Sequence, residues 1–326
     1  MRILITGGCG FVGRHFVKAL DNGINEIQIV DNMIRGGGSL LPEVWYFKPS
    51  KKVHFLLQDC RSFFANSSIK FDLVIHLAAV VGGRLTIEKN PLAVADDLSI
   101  DSSLWQWAVI NKPTHIISFS SSAAYPVSLQ NEANKSLKES DINFENELGM
   151  PDLTYGWAKL TQEYLGKLAA ERYSLKVATY RPFSGYGEDQ SLDYPFPSIC
   201  KRAVESNQES EFEVWGSGYQ SRDFIHIDDI VDAVLNTYPS MTDGSALNLG
   251  SGKLTTFRDL AKMACNAVGF KPIIVGNTNL PEGVFSRVSD NTKLNSTGWK
   301  PSIPLEVGVA RAVEFFKSQN YKETMR

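Results

Sequence analysis

The chain begins Met1-Arg2-Ile3-Leu4-Ile5-Thr6-Gly7-Gly8-Cys9-Gly10-Phe11-Val12-Gly13. Arg2–Ile5 reads as a buried strand that runs straight into glycines spaced GxxGxxG at Gly7, Gly10 and Gly13. Phe11–Leu20 comes next with Phe11, Val12, Phe16, Val17 and Leu20 on one face, the period of a helix. Strand, glycine turn and helix in that order meet the needs of a pyrophosphate site: a tight turn, a backbone bare enough to approach, and close packing of helix on strand. The first N–H groups of the helix and its positive dipole end then face the phosphates. A glycine triplet alone serves equally well as a structural turn. Here a second strand, Glu26–Val30, leads into Asp31 at about the 20-residue spacing of a dinucleotide site. A carboxylate there accepts hydrogen bonds from the adenosine ribose hydroxyls and repels a 2′-phosphate, and Asn32 beside it is compatible with that role. NAD is therefore expected over NADP, although Arg35 is a nearby residue that argues the other way.

Working outward, Val53–Leu57, Phe71–His76, His115–Phe119 and Lys176–Tyr180 are further strands, with helices predicted over Leu98–Ile110 and Tyr155–Arg172. Strands that are apolar throughout and separated by helices imply a parallel sheet covered on both faces. The right-handed crossover rule then leaves an α/β fold with a doubly wound parallel sheet of the Rossmann type. After Arg181 the texture becomes rich in Gly, Pro, Ser and Tyr, which reads as a smaller, irregular C-terminal substrate domain. Ala246–Leu249 looks like a strand returning to the first domain. The expected division is residues 1–182 with 223–252 as the NAD-binding domain, and residues 183–222 with 253–326 as the substrate domain.

With 326 residues, 33 basic and 36 acidic side chains give a formal charge of −3, so neither nucleic acid nor an anionic membrane is an expected partner. Four separated cysteines and five scattered histidines show neither a disulfide framework nor metal-ligand spacing. No apolar run approaches the roughly 20 residues of a membrane span. The opening strand leaves no room for a signal peptide, and a cytoplasmic protein is expected.

Tyr155-Gly156-Trp157-Ala158-Lys159 puts a tyrosine and a lysine one helical turn apart on one face. A neighbouring ammonium favours the phenolate, lowers the phenol pKa and makes it a usable base; a nicotinamide cation adds to the effect. Ser120, Ser121 and Ser122 come after the strand His115–Phe119, where a hydroxyl would orient a substrate alcohol or carbonyl for that tyrosine. Asp59, with Cys60 after it, stands just past the third strand, where it either reaches an adenine amino group or caps a helix. His76-Leu77-Ala78-Ala79 ends a strand in small residues against which a cofactor can lie, and His76 itself reads as a strand-end histidine rather than a catalytic one.

These features, taken in order, resemble the extended short-chain dehydrogenases/reductases, in particular the nucleotide-sugar epimerase/dehydratase group. The resemblance runs through Thr6–Gly13, Asp31, Asp59, His76–Ala79, Ser120-Ser121, Tyr155…Lys159, Arg181–Gly187, Gly216–Asp229, Asn248–Gly252 and Arg287–Asp290. It implies a catalytic Ser121, an acid/base Tyr155 and its partner Lys159, with NAD also touching Phe11, Val12, Cys60 and both Tyr155 and Lys159. It further implies Arg222 and Arg287 on a sugar-nucleotide diphosphate, Asp290 on the nucleotide ribose, and Gly83, Arg84, Ser122 and Ser184 near the sugar. Ser184 stands where many relatives carry Asn. Relatives that remove water across C5–C6 carry an acid directly after the catalytic Ser/Thr, and relatives that epimerise at C3 and C5 carry Cys at the position of Ala123. This chain has Ser122-Ala123. Val81–Arg84, Tyr125-Pro126 and Pro281–Val284 nevertheless resemble the GDP-sugar members. The expectation is a 4-epimerase working on a GDP- or UDP-sugar through a transient 4-keto sugar. A C4 dehydrogenase or 4-keto reductase shares every one of these residues, and a non-catalytic nucleotide-binding protein shares the fold. The polar segment from Val127 to Thr154 is expected either to edge the sugar pocket or to be a solvated excursion. Trp107 and Tyr164 either finish the monomer core or point to a homodimer, the expected state, which in the resembling family pairs the two helices that carry them.

Overall fold

The computed structural model describes residues 1–34, 48–82, 84–131, 135–206 and 210–318. Strands β1 (Arg2–Thr6), β2 (Glu26–Asp31), β3 (Val53–Leu57), β4 (Leu73–His76) and β5 (His115–Phe119) join strands Val177–Pro182 and Asp243–Leu249 in one seven-stranded sheet. Its order is Asp243–Leu249, Val177–Pro182, β5, β4, β1, β2, β3, and every neighbouring pair is parallel. The order reverses between β1 and β4, which puts a crevice at the carboxyl ends of those two strands. The predicted strands coincide with the observed ones to within a few residues, and the strand expected at Ala246–Leu249 joins the sheet beside Val177–Pro182.

The alternation of side chains along each strand builds two apolar layers. Ile3 and Ile5 bury on one face with Phe16 and Val17 of helix α1 (Phe11–Leu20) and with Ile230 and Val234 of the helix Ile227–Thr237. Leu4, on the opposite face, packs in a cluster with Phe63 and Phe64 of α2 (Cys60–Asn66), and, beyond the short α3 (Arg84–Lys89), with Leu104 and Trp107 of α4 (Ala95–Asn111) and Ala169 of α5 (Leu153–Tyr173). A separate core of Phe196, Phe212, Phe224, Phe257, Leu260 and Val313 forms in the C-terminal part of the chain.

Two readings that the sequence left open are narrowed by the structure. Trp107 is only 3% exposed: its ring lies 5.2 Å from that of Phe64, and its Nε1 donates to the carbonyl of Ser67 at 2.9 Å. Its apolar area is absorbed by the monomer core, whereas Tyr164, at 44% exposure, keeps the surface role. The segment after Val127 is also less of an excursion than its polarity implies. Leu137 and Ile142 bury with Tyr125, Leu160 and Phe183, and Ser136–Leu137 pairs in parallel with Val288-Ser289.

Candidate active site

The turn after β1 closes on the end of β4. Gly7 has φ +69°, and a Cβ there would lie 2.7 Å from the backbone of Leu77 and Ala78, so only glycine permits this approach. Leu77 N donates to the carbonyl of Thr6 at 3.0 Å, and Leu77, Ala78 and Ala79 stay half-buried at the mouth of the crevice. Helix α1 starts after Gly10, which has no side chain to cap it, and its first turn holds no acid. Its first N–H groups, around the half-buried Phe11 and Val12, are thus left for an external anion, and Gly13 packs beneath the turn. Asp31 steadies the turn as well as ending β2. Its Oδ2 accepts from Cys9 N at 2.9 Å and its Oδ1 from Met33 N at 2.8 Å, while Asn32 is exposed. The carboxylate, the open helix end and the glycine backbone together fit a dinucleotide. Arg35 lies outside the described residues. Asp59 caps α2, accepting from Arg61 N at 2.8 Å and from the Arg61 guanidinium at 3.0 and 2.6 Å, which holds its carboxyl below the usual range. Cys60 is buried, and burial pushes its thiol up to about 12.

Ser121, Tyr155 and Lys159 come together at the carboxyl end of β5. Ser121 accepts from Ala123 N at 3.1 Å, and its hydroxyl pulls the Tyr155 phenol toward a lower pKa. The Lys159 Nζ lies 5.7 Å from the centre of the Tyr155 ring and donates to Gln162 Oε1 at 3.3 Å. Tyr155 reaches its place because Asp152 N donates to the carbonyl of Ala123 and because Gly156 packs directly on that same carbonyl, where no Cβ would fit. The electrostatics include the pull of Lys159 expected from the YxxxK spacing and set burial against it. Burial pushes the Tyr155 phenol above its ordinary value, and the opposing pull of Lys159 and Ser121 does not cancel it. Burial also works against the charge on Lys159, yet its pKa is raised because Tyr155, Asp97 and Asp101 favour the ammonium.

Those two aspartates were not singled out from the sequence. They lie one turn apart on α4, both buried, and each has an oxygen, Oδ2, with no hydrogen-bond partner among the described residues. Asp101 Oδ1 pairs with His76 Nε2 at 3.2 Å, and His76 Nδ1 with Thr6 Oγ1 at 2.8 Å, so His76 is the structural strand-end histidine expected. Asp97 accepts from Val80 N, and burial raises its carboxyl above the usual range. Two acids at i and i+4, in register with the apolar Ile100, Leu104 and Trp105 of the same helix, were the signal available.

Of the three serines, only Ser121 meets the tyrosine. Ser120 is buried and donates to Glu163, which is clamped by Arg181 at 2.8 and 2.6 Å; Ser122 is buried in the turn that Ser121 caps. Arg181 also donates to Tyr125 Oη at 3.0 Å, and Tyr125 donates to Asn248 Oδ1 at 2.8 Å, so this network ties β5, α5 and the last sheet strand together.

The two arginines expected at the diphosphate lie opposite each other on neighbouring strands. Ser221-Arg222 pairs in parallel with Ser286-Arg287, which sets Arg222 opposite Arg287. Buried Asp223 organises this region by accepting from Ser251, Gly252 and Ser289. The Arg222 guanidinium lies over the Phe257 ring and donates to the carbonyls of Ser221 and Val284. Asp290, at the end of the Arg287 strand, accepts from Thr292 N at 2.9 Å. Ser184 is half-buried, and its N–H donates to the carbonyl of Asp223. Gly83 lies outside the described residues, and Arg84 opens α3.

A family model for NAD dependent epimerases and dehydratases matches residues 3–250. The chain belongs to the NAD dependent epimerase/dehydratase family. Members of this family are NAD-dependent enzymes acting on nucleotide sugars, and this chain is one of them. It is 25% identical over 331 residues to GDP-L-colitose synthase of Yersinia pseudotuberculosis, covering 98% of this chain and 99% of that protein. It is 28% identical over 324 residues to a putative UDP-glucose 4-epimerase of Methanocaldococcus jannaschii, covering 98% and 99%. The fold matches a dTDP-glucose 4,6-dehydratase of Streptomyces venezuelae with a TM-score of 0.84, 20% identity and full coverage of both chains. In this scaffold Arg287 donates to Asp152 at 2.6 Å, just ahead of the helix that carries Tyr155 and Lys159.

Proposed function

We propose that the protein is a nucleotide-sugar 4-epimerase that passes through a transient 4-keto sugar. The observation that carries this reading is the pair of residues after Ser121: buried Ser122 and the methyl of buried Ala123, neither of which is an acid or base for a sugar C–H bond. Bound NAD supplies the hydride acceptor for C4 and the source from which it returns. Tyr155 takes the proton of the C4 hydroxyl, Ser121 holds the sugar oxygen in line with it, and Lys159 stabilises the phenolate. Once the 4-keto sugar has turned over in the pocket, the same phenol returns the proton to the opposite configuration, so no net proton or electron is gained or lost. Arg222 and Arg287 hold the diphosphate by charge and Asp290 accepts from the ribose hydroxyls, from a substrate lobe of residues 183–222 and 253–326. The GDP-sugar preference is supported by Val81–Arg84 and Pro281–Val284, and by the GDP-sugar relatives at 25% to 28% identity. The segment 127–154 borders this lobe through its pairing with Val288-Ser289, which supports a role in sugar selection. An activity of this kind belongs in the cytoplasm with its cofactor and substrates, and the enzyme works as a homodimer. Incubation with GDP- and UDP-sugars, with products resolved by NMR, tests it. Paired C4 epimers are expected. A stable 4-keto product, or a product formed only with added NADH, would replace the epimerase by the C4 dehydrogenase or reductase reading.

A further inference from the structure

Arg287 lies opposite Arg222 on the strands assigned to the substrate diphosphate, yet its guanidinium is engaged by the segment that delivers Tyr155. Its Nε donates to Gln130 Oε1 at 2.5 Å and its Nη2 to Asp152 Oδ2 at 2.6 Å, with the two charged side chains only 12% and 13% exposed. Asp152 immediately precedes α5, three residues before the catalytic tyrosine. Its backbone is fixed at both ends: its N–H donates to the carbonyl of Ala123 at 2.9 Å, and its carbonyl accepts from Gly156 N at 2.9 Å. The next residue, Leu153, has φ +57°, a left-handed conformation that a non-glycine residue keeps only when its surroundings hold it. Asp152 occupies the N-cap position of α5, but its side chain makes no capping hydrogen bond there and is turned to Arg287 instead.

We propose that Asp152 is a positioning residue that couples diphosphate binding at Arg287 to the placement of Tyr155. The inference rests on the nucleotide-sugar reading above. Phosphate oxygens and the Asp152 carboxylate compete for one guanidinium, and the charge of a diphosphate favours its side of that competition. A carboxylate drawn away from Arg287 has a second set of donors within its own turn, the first N–H groups of α5, where a negative charge is stabilised by the helix end. The strained turn at Leu153 thus has two arrangements, and occupancy of the diphosphate site selects between them.

Titration of the full chain with GDP and with UDP, alongside steady-state kinetics, tests this. In Asp152→Asn the competitor for Arg287 is weakened, so the nucleoside diphosphate should bind about fivefold more tightly. kcat should fall about tenfold because the tyrosine is no longer placed by substrate, while the NAD dissociation constant stays within about twofold. A purely structural role would weaken all three together. Asp152→Glu, which keeps the charge one methylene further out, should leave diphosphate affinity unchanged but still lower kcat, and it serves if the Asn variant does not fold. Unchanged or weaker diphosphate binding in Asp152→Asn, or unchanged kcat in either variant, overturns the coupling. If the unmodified protein binds neither GDP nor UDP, the nucleotide-sugar reading itself fails.

Discussion

Tyr155 carries two opposed influences: burial lifts its phenol, while Lys159 and Ser121 pull it down. Removing the phenol in Tyr155→Phe should lower turnover by about 10²–10⁴-fold, the usual worth of a positioned acid/base, while NAD still binds by calorimetry. With no cofactor bound the folded-state phenol titrates above its ordinary value, so ultraviolet difference spectra of the unmodified protein against Tyr155→Phe should show its phenolate only in the alkaline range. A phenolate band near neutrality would show that burial does not govern this group. The grouping of Ser121, Tyr155 and Lys159 was legible in the sequence because these residues sit at fixed offsets within one strand end and one helix turn. Asp97, Asp101, Asp152 and Gln130 were not, because their partners lie on other elements and only the fold brings them together.

At the scale of elements, helix α1 is pinned to the C-terminal part of the chain by Asp189. That carboxylate accepts from Arg14 Nε at 2.7 Å and lies 3.1 Å from His15 Nε2, with His15 buried. Asp189 loses hydration on burial, but His15 and Arg14 hold its carboxyl well below the usual range. For His15, burial opposes the charge, but Asp189 and Asp228 raise its pKa above the ordinary value. The signs differ. The contribution of Asp189 is present above the unfolded carboxylate pKa and is lost as pH falls through the depressed folded value. That of His15 is present below the unfolded histidine pKa and is lost as pH rises through the raised folded value. Asp189→Ala should cost about 3 kcal/mol in urea denaturation between those limits, with the difference shrinking in acid and, in part, in alkali. A cost independent of pH would mean that packing, not charge, dominates. The central sheet strands were legible because they are short apolar runs bounded by turns, and burial on both faces of β1, β4 and β5 sets their register. The segment after Val127 was not: its anchors, Leu137 and Ile142, are isolated apolar residues in a polar stretch, and Ser136-Leu137 pairs with residues about 150 positions away.

For the molecule as a whole, α4 and α5 leave Leu98, Trp157 and Tyr164 exposed at 43%, 43% and 44% after Trp107 has been taken into the core. These support the proposed two-fold assembly, and light scattering at micromolar concentration should return twice the mass of one chain; the mass of a single chain would refute it. In the proposed reaction chemistry is confined to C4, because Ala123 puts no carbon acid/base beside Ser121, Tyr155 and Lys159. A nucleotide sugar carrying deuterium at C4, turned over in ordinary water, with the reverse label in a matched reaction in deuterated water, tests this. Both C4 epimers should retain the C4 deuterium, and neither should take up solvent deuterium at C3 or C5. Loss of the C4 label to an accumulating keto sugar, or solvent deuterium at C3 or C5, would contradict it.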